Sequence, residues 1–397
     1  MATADIVIVG GGIIGTSIAY QVAQRGAKKV VLLERDTIAS GSSGRATGGI
    51  RQQFADERDI SFSIEGVRFY KQFTREPDIH AIRPHFYQQG YLFLVTNEAS
   101  WQAMQRHVVL QQTLGVPTQL LDRDEVTQRI PQLAVEDIVG ATFCSTDGYS
   151  DPGAMTCALA FEAQRRGVLL YEHTPVVGIS VKQGKIQAVQ TAQETIYTHI
   201  VINATGAYAA LMARLVGIVD LPVYPVRRQL YLTEPCADIP ADIPMTVDLS
   251  TGFHFRRRAD RIILTAPLPF DEAKLRHSQL PLTPEAFELS IDYDFWHSTL
   301  HPHLQKRCPS LARTGINKIW SGLYEMTPDE HPILGETEIE GFLCACGFSG
   351  HGFMHAPMAA KLLAEFILDG ASTTYSLEPF SLARFRTGQL LETTRLL

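Results

Sequence analysis

Apolar and polar positions change their period several times along the chain, and each change marks an element. Ile6 to Val9 is an unbroken apolar run, suited to a strand buried on both faces. Ile14, Ile18 and Val22 then recur every four residues on one helical stripe, Gly26 stops the helix, and Val30 to Leu33 is a second apolar run closed by Glu34. The pattern predicts a βαβ unit. A helical period resumes at Ile60, Ile64, Val67, Tyr70 and Phe73.

Tyr91 to Val95 predicts an aromatic strand and Trp101 to Leu114 a helix, with Pro117 and Pro131 as punctuation, so residues 85–145 read as an insertion. Asp151-Pro152 is an acidic cap with proline at the first helical position, predicting a helix that runs to Gly167. Val176 to Val181, Ile186 to Thr191 and Glu194 to Ile202 predict a three-stranded meander with a turn at Gln183-Gly184. From Pro222 to Lys318 the runs become antiparallel-type strands rich in aromatics, with one helical segment from Pro284 to Leu300. A last strand is predicted at Phe342 to Ala345, and then a helix with Pro357 near its start and Gly370 after its end.

These elements predict an α/β protein. A Rossmann-type nucleotide-binding domain (residues 1–84, 146–218 and 319–397) is interleaved with an α+β substrate domain on a mostly antiparallel sheet (85–145 and 219–318). The length of 397 residues agrees with two domains rather than one.

Composition narrows the function classes. The 35 basic and 42 acidic residues leave a net charge of −7 and no broad basic field, so no nucleic acid partner is expected. The one basic triplet, Arg256 to Arg258, reads as a solvated or substrate-facing strand end. No stretch reaches the roughly 20 apolar residues that span a bilayer, and the N-terminal run lacks the basic flank of a signal peptide. The six scattered cysteines show no zinc or redox spacing, which suits reduced thiols in a cytoplasm. His297, His301 and His303 are close in sequence, but no acid or cysteine completes a metal set and Pro302 is expected to break the helix, so no metal is predicted.

The chemistry concentrates in glycine-rich turns. Gly10-x-Gly12-x-x-Gly15 follows the first strand: Gly10 for the tight turn, Gly12 for approach of a pyrophosphate to the backbone, and Gly15 for close helix packing. The helix N-terminus offers free N–H groups and positive dipole, and Glu34 is placed to take two ribose hydroxyls. The stretch from Ser40 to Gly49 is too small-residued for a core and suits a phosphate or ring laid against backbone. Gly347 to Phe353, entering the Pro357 helix, is a second such turn, so the two ends of the chain meet in one site. With only one such fingerprint, a single dinucleotide is expected.

The fingerprint with Glu34, the run SGSSGRATGGIRQ from Ser40, Ala204-Thr205-Gly206, GLYEMTPDEHPILG from Gly322 and GFSGHGF from Gly347 together resemble the D-amino-acid-oxidase-like flavoproteins. The similar branch holds sarcosine oxidases and their β-subunits, glycine oxidases and dye-linked proline dehydrogenases, and it covers almost the whole chain. The resemblance implies an extended FAD, with pyrophosphate at Gly12 and adenine against Val176 and Val177. Ring contacts would come from Arg45, Ala46, Thr47, Gly48 and Gly49 and from Gly350, His351, Gly352 and Phe353. Ile14, Gly15, Glu34, Arg35, Ser42, Ser43, Ala204, Thr205, Gly206, Gly322, Tyr324 and Met354 complete the implied cofactor set.

Gly322 stands where monomeric sarcosine oxidases carry the flavin-linking cysteine, and Arg45 where others carry a linking histidine, so the FAD is expected to be non-covalent. Ile263 falls at the lysine that activates oxygen in those oxidases. Arg51 matches the arginine that holds the substrate carboxylate, whereas Met354 replaces its lysine partner. Independently of the resemblance, an arginine is the fork-shaped anchor a carboxylate needs. Tyr324, His351 and His254 are candidate polar liners of the same pocket, and the Pro357 helix can stabilise negative charge on a reduced ring.

The expected function is FAD-dependent oxidation of a C–N bond in an amino acid or secondary amine, as a dehydrogenase. An oxygen-using oxidase that makes hydrogen peroxide, and an electron-relaying flavin subunit of a larger complex, remain as alternatives. Expected partners are a carboxylate-bearing amine substrate and an electron acceptor: a protein, a quinone or a second subunit.

Overall fold

The computed structural model describes residues 2–75, 82–267 and 290–392. Its organising feature is a six-stranded sheet in the order Ile333–Glu336, Phe342–Cys346, Val201–Asn203, Ile6–Val9, Val30–Leu33 and Leu169–Tyr171. All neighbours in it run parallel except the edge pair formed by Ile333–Glu336 and Phe342–Cys346. Ile6 to Val9 are buried to the last residue, as an apolar run without alternation requires when both faces are covered.

Helix α1 (Ile13–Gln24) packs on this sheet. The predicted stripe of Ile14, Ile18 and Val22 is buried, and so is most of the rest of the helix, because the helices Pro152–Arg165 and Gly352–Asp369 flank it. Gly10 adopts φ +114°, and a Cβ on Gly15 would lie 1.9 Å from the Gly10 carbonyl oxygen, so the strand-to-helix turn closes only with glycine at both places. Helix α2 (Glu57–Phe73) starts at Asp56, whose side chain accepts from the N–H groups of Arg58 and Asp59.

The second sheet has eight strands: Ile316–Met326, Tyr224–Thr233, Arg261–Thr265, His254–Arg258, Met245–Asp248, Tyr91–Val95, Gly140–Cys144 and Thr118–Leu121. One pair in it, Met245–Asp248 with Tyr91–Val95, is parallel, and the others are antiparallel. The long strand Ile316–Met326 spans position 319, carrying the polypeptide from the second sheet back toward the first.

Two expectations are corrected. Glu194 to Ile202 is not one strand: Thr195–Tyr197 closes the meander, and Val201–Asn203 enters the parallel sheet. Between them Thr198 makes a local turn, its hydroxyl donating to the Ile200 carbonyl and accepting from the Ile200 N–H. Pro302 does not end a helix either. The π-helical turn Trp296–Leu300, which holds His297, runs directly into the helix His301–Arg307, and Pro302 is the second residue of that helix. The part of the predicted Pro284–Leu300 segment before residue 290 lies outside the described residues. His301 instead contacts the Ala312 carbonyl, with 3.3 Å between ring nitrogen and oxygen.

The turn at Gln183-Gly184 has both residues at positive φ, 52° and 75°, as a tight two-residue hairpin demands. All six cysteines are free thiols. Among the described residues no helix is long and apolar enough to cross a membrane.

Candidate functional site

A single cavity of about 1260 Å³ runs from the C-terminal ends of Ile6–Val9, Val30–Leu33 and Val201–Asn203 to the face of the second sheet. The carboxyl ends of parallel strands are where an open α/β sheet binds ligands. The volume exceeds the usual range for a small-ligand pocket, roughly 300–1,000 Å³, as a dinucleotide plus a substrate would need.

At one end, Gly12 caps α1 without any side-chain hydrogen bond, so the first turn keeps N–H groups open to the cavity. Gly12 has only Ser43 Oγ near the position of an added Cβ, at 3.2 Å, and Ser43 Oγ accepts from the Ile13 N–H at 2.8 Å. Glu34 Oε2 accepts from the Gly11 N–H at 2.7 Å and Oε1 from Asp36 N–H at 2.9 Å, which fixes its carboxylate beside the glycine turn. Arg35 lies 4.0 Å over the Tyr208 ring, and Val176, Leu211, Met212 and Leu215 form an apolar wall beyond it. Glycine, hydroxyl and carboxylate are thus arranged as a pyrophosphate and a ribose require.

The middle is shaped by the small-residue loop. Ser43 to Arg45 form one 3-10 turn. Arg45 donates to the Ser40 and Ser321 carbonyls, Trp320 Nε1 donates to the Arg45 carbonyl, and Ser42 Oγ donates to the Leu323 carbonyl, so the loop is clamped to the strand Ile316–Met326. Arg256 donates to the Thr47 carbonyl from below. Gly48 has φ +79°, and a Cβ there would meet the Ser150 carbonyl oxygen at 2.2 Å.

At the far end Arg51 is 3% exposed. Its Nη1 donates to the Gln53 carbonyl at 2.7 Å, its Nη2 lies 3.5 Å from His351 Nε2, and its guanidinium sits 3.9 Å over the Phe54 ring. It makes no ion pair among the described residues. Burial pushes its pKa down while Tyr91, Asp59 and Asp147 push it back, and a guanidinium stays charged throughout. Asp147, 0% exposed, holds the arm that carries Arg51 by accepting from Gln52 N–H, Gln52 Nε2 and Gln53 Nε2. Burial raises Asp147 to about 6.

The imidazoles here are neutral. Burial, then Arg51, holds His351 well below the usual histidine value, and burial lowers His254 to about 4, with Arg51 and Arg228 adding to the effect. His254 Nδ1 is 2.8 Å from the Gly252 carbonyl oxygen and therefore carries the proton. Tyr324 lines the same space, with the Arg228 guanidinium 5.0 Å over its ring.

Most sequence-predicted residues meet on this cavity wall: Gly10, Gly12, Ile14, Glu34, Arg35, Ser42, Ser43, Arg45 to Gly49, Arg51, Val176, Ala204 to Gly206, His254, Gly322, Tyr324 and Gly350 to Met354. Gly15 and Val177 do not. Gly15 is filled against Gly10, and Val177, at a β-bulge between Val176 and Gly178, is 58% exposed. Ile263 is buried but is not on the wall; Thr265 faces the cavity from that strand.

Sequence reasoning missed four contributors. Arg228, from Tyr224–Thr233, brings the second cation that Met354 does not. Its one signal was the polar run Arg227-Arg228-Gln229 inside an otherwise largely apolar and aromatic strand. Tyr91 lines the wall from Tyr91–Val95, and Glu325, raised to about 7 by burial, accepts from the Gly347 N–H at 3.0 Å. The group formed by Asp56, Asp59 and His331 also reaches the wall, from two segments that no sequence motif connects.

Comparison with known proteins agrees with this geometry. Residues 5–366 match the family described as FAD dependent oxidoreductase (DAO). Among curated proteins, the chain is 28% identical to FAD-dependent oxidoreductase domain-containing protein 1 of Xenopus laevis, over 96% of this chain and 82% of that one. It is 28% identical to glycine oxidase of Geobacillus kaustophilus, over 96% and 97%. It is 27% identical to mitochondrial sarcosine dehydrogenase of Homo sapiens, over 93% of this chain and 40% of that longer one. Among solved structures, L-proline dehydrogenase from P. horikoshii superposes with a TM-score of 0.89 at 32% identity, covering 98% of this chain and 100% of that one.

Proposed function

The chain belongs to the FAD dependent oxidoreductase family, and on that premise we propose that it oxidises a C–N bond of an amino acid or secondary amine that carries a carboxylate. The observation that carries this reading is Arg51: a guanidinium 3% exposed, facing the cavity, with no carboxylate partner among the described residues. Asp59 and Asp147 act on it only from beyond ion-pair distance, and a buried charge not directly paired is costly, so a ligand anion is its natural complement. Arg228 adds positive potential from the second sheet. Relatives named for sarcosine, glycine and L-proline share this kind of substrate.

The glycine turn with Ser43 and Glu34, and the stretches Arg45 to Gly49 and Gly350 to Phe353, would hold FAD, which would supply the two-electron acceptor for hydride leaving the carbon next to nitrogen; the imine product would be hydrolysed by water. The protein's part is positional. Arg51 orients the carboxylate by two parallel hydrogen bonds, which fixes the neighbouring carbon. Neutral His254 and His351 add no positive charge that would repel the substrate amine, and Tyr324 supplies a hydroxyl within the same space. The first turn of Gly352–Asp369, uncapped by any side chain, turns the positive end of its dipole toward the cavity and so favours negative charge on the ring. Gly322 and Arg45 offer no side chain for a covalent flavin link, so acid precipitation is expected to release FAD intact.

We assign the electron acceptor as a dye-like quinone or a partner protein rather than oxygen, because no lysine lines the described cavity and Ile263 occupies the position expected for one. The test is an anaerobic screen of amino acids and secondary amines against their amides, read as bleaching of the oxidised flavin band. Bleaching by carboxylates and not by amides is expected; bleaching by neither, or equally by both, overturns the assignment.

A further inference from the structure

Where α2 begins, Asp56, Asp59 and His331 face one another on the cavity wall, with one ligand atom from each lying within 4.8 Å of the others. Asp56 and Asp59 emerge one helical turn apart, and His331 comes from the turn after Ile316–Met326. His331 is 3% exposed. Its Nδ1 is 2.7 Å from the Asp329 carbonyl oxygen, which can only accept, so Nδ1 carries a proton and Nε2 is the ring atom turned toward the two carboxylates.

Nε2 has no hydrogen-bond partner, and it faces Asp59 Oδ2 at 3.8 Å and Asp56 Oδ2 at 4.0 Å. Those distances are too long for a bridging proton. They are close to what an ion with ligand bonds of roughly 2.0–2.2 Å would span after a small carboxylate rotation. Asp56 Oδ1 is occupied by the Arg58 and Asp59 N–H groups at 3.0 and 3.1 Å, leaving Oδ2 to face inward.

The surroundings are those of a metal-ligating histidine, which as a rule donates its other N–H to a carbonyl. Asp329 is itself gripped by Arg384, with Nε to Oδ2 at 2.7 Å and Nη2 to Oδ1 at 3.0 Å, and Arg384 Nη2 also donates to the His331 carbonyl at 2.9 Å. The imidazole is therefore fixed in direction by a buried ion pair.

We propose that Asp56, Asp59 and His331 bind one divalent first-row transition cation on the cavity wall. One imidazole with two carboxylates suits Zn²⁺ or Mn²⁺. The test is calorimetric titration of tag-free, chelator-treated holoenzyme with Zn²⁺ and separately with Mn²⁺. One equivalent of at least one metal is expected, with affinity reduced at least about tenfold in Asp59→Asn and His331→Leu at unchanged FAD content. No stoichiometric binding to the parent, or equal binding to the variants, overturns the site. If a variant loses its FAD, anomalous diffraction from a Zn²⁺-soaked parent crystal decides: a peak between the three side chains supports the site, and its absence there overturns it.

Discussion

Arg51 Nη2 and His351 Nε2, 300 residues apart in the chain, lie 3.5 Å from each other at the far end of the cavity. A guanidinium only donates, so His351 presents a lone pair to it and is neutral in that arrangement. One end of the site is thus a cation backed by a neutral acceptor, which leaves the positive charge available to a ligand.

Arg51→Lys is expected to lower kcat/KM for a carboxylate substrate by about 10- to 100-fold, the size of one to two charge-assisted hydrogen bonds at roughly 1.5–3 kcal/mol. The ammonium keeps the charge but loses both the fork and the stacking on Phe54. The loss should appear chiefly in KM and be absent for an amide analogue; equal losses for acid and amide would show that Arg51 serves the fold rather than the substrate.

Two glycines of the same turn should fail differently. Gly12 has an ordinary backbone, φ −79°, and only Ser43 Oγ near an added Cβ, so Gly12→Val is expected to yield folded protein with little FAD. Gly10 has φ +114°, and a Cβ would lie 2.3 Å from the Ala204 carbonyl oxygen, so Gly10→Ala should lower Tm. Thermal denaturation beside the flavin absorbance ratio separates the two; full FAD occupancy in Gly12→Val would contradict the pyrophosphate position.

Acid should destabilise the protein through its buried histidines. Burial lowers His254 to about 4 and His355 to about 3, from an ordinary 6.5. A depressed folded-state pKa gives stability that is complete above 6.5 and is lost as pH falls toward 4 and 3, at about 1.4 kcal/mol per pH unit for each group. Asp147, raised to about 6 from 3.8, and Glu325, raised to about 7 from 4.5, act in the opposite sense, as does Asp59, raised well above its usual value, while His351, held well below 6.5, acts with the two histidines. The test is therefore the difference between parent and variant: between pH 6.5 and 4, Tm of the parent is expected to drop relative to that of His355→Gln, whose parent ring lies 3.0 Å from Ser63 Oγ. An unchanged slope in the variant would show that His355 is not the group titrating.

Reoxidation tests the acceptor. Substrate-reduced protein is expected to return to the oxidised spectrum slowly in air-saturated buffer and quickly with an artificial dye. Transfer to oxygen passes through superoxide, whose charge needs a nearby preorganised cation. Ile263, 2% exposed on the strand whose Thr265 faces the cavity, is the position at which a longer cationic side chain would be brought nearer, so Ile263→Lys should raise the oxygen rate. Fast reoxidation by oxygen in the parent, unchanged by lysine, would mean that another cation already serves.

By itself the sequence determined what is local. An apolar run, a glycine fingerprint, a four-residue helical period and a terminal acid are written within Ile6 to Glu34, and each is fixed by backbone sterics or burial over a few residues, so the nucleotide end of the site was legible. Arg51 and the Gly347–Phe353 turn were legible too, as motif and resemblance. Only the tertiary structure decided which charges lose water together. Strand pairing places Arg228 opposite Gly322 and so on the cavity, and a β-bulge between Val176 and Gly178 leaves Val177 exposed while Val176 lines the cavity. His331 lies in the GLYEMTPDEHPILG run, but its meeting with Asp56 and Asp59 exists only once the turn after Ile316–Met326 is laid against the first turn of α2. Such pairings depend on sheet register and helix placement across hundreds of residues, and a charge's meaning depends on the burial and partners that this placement alone supplies.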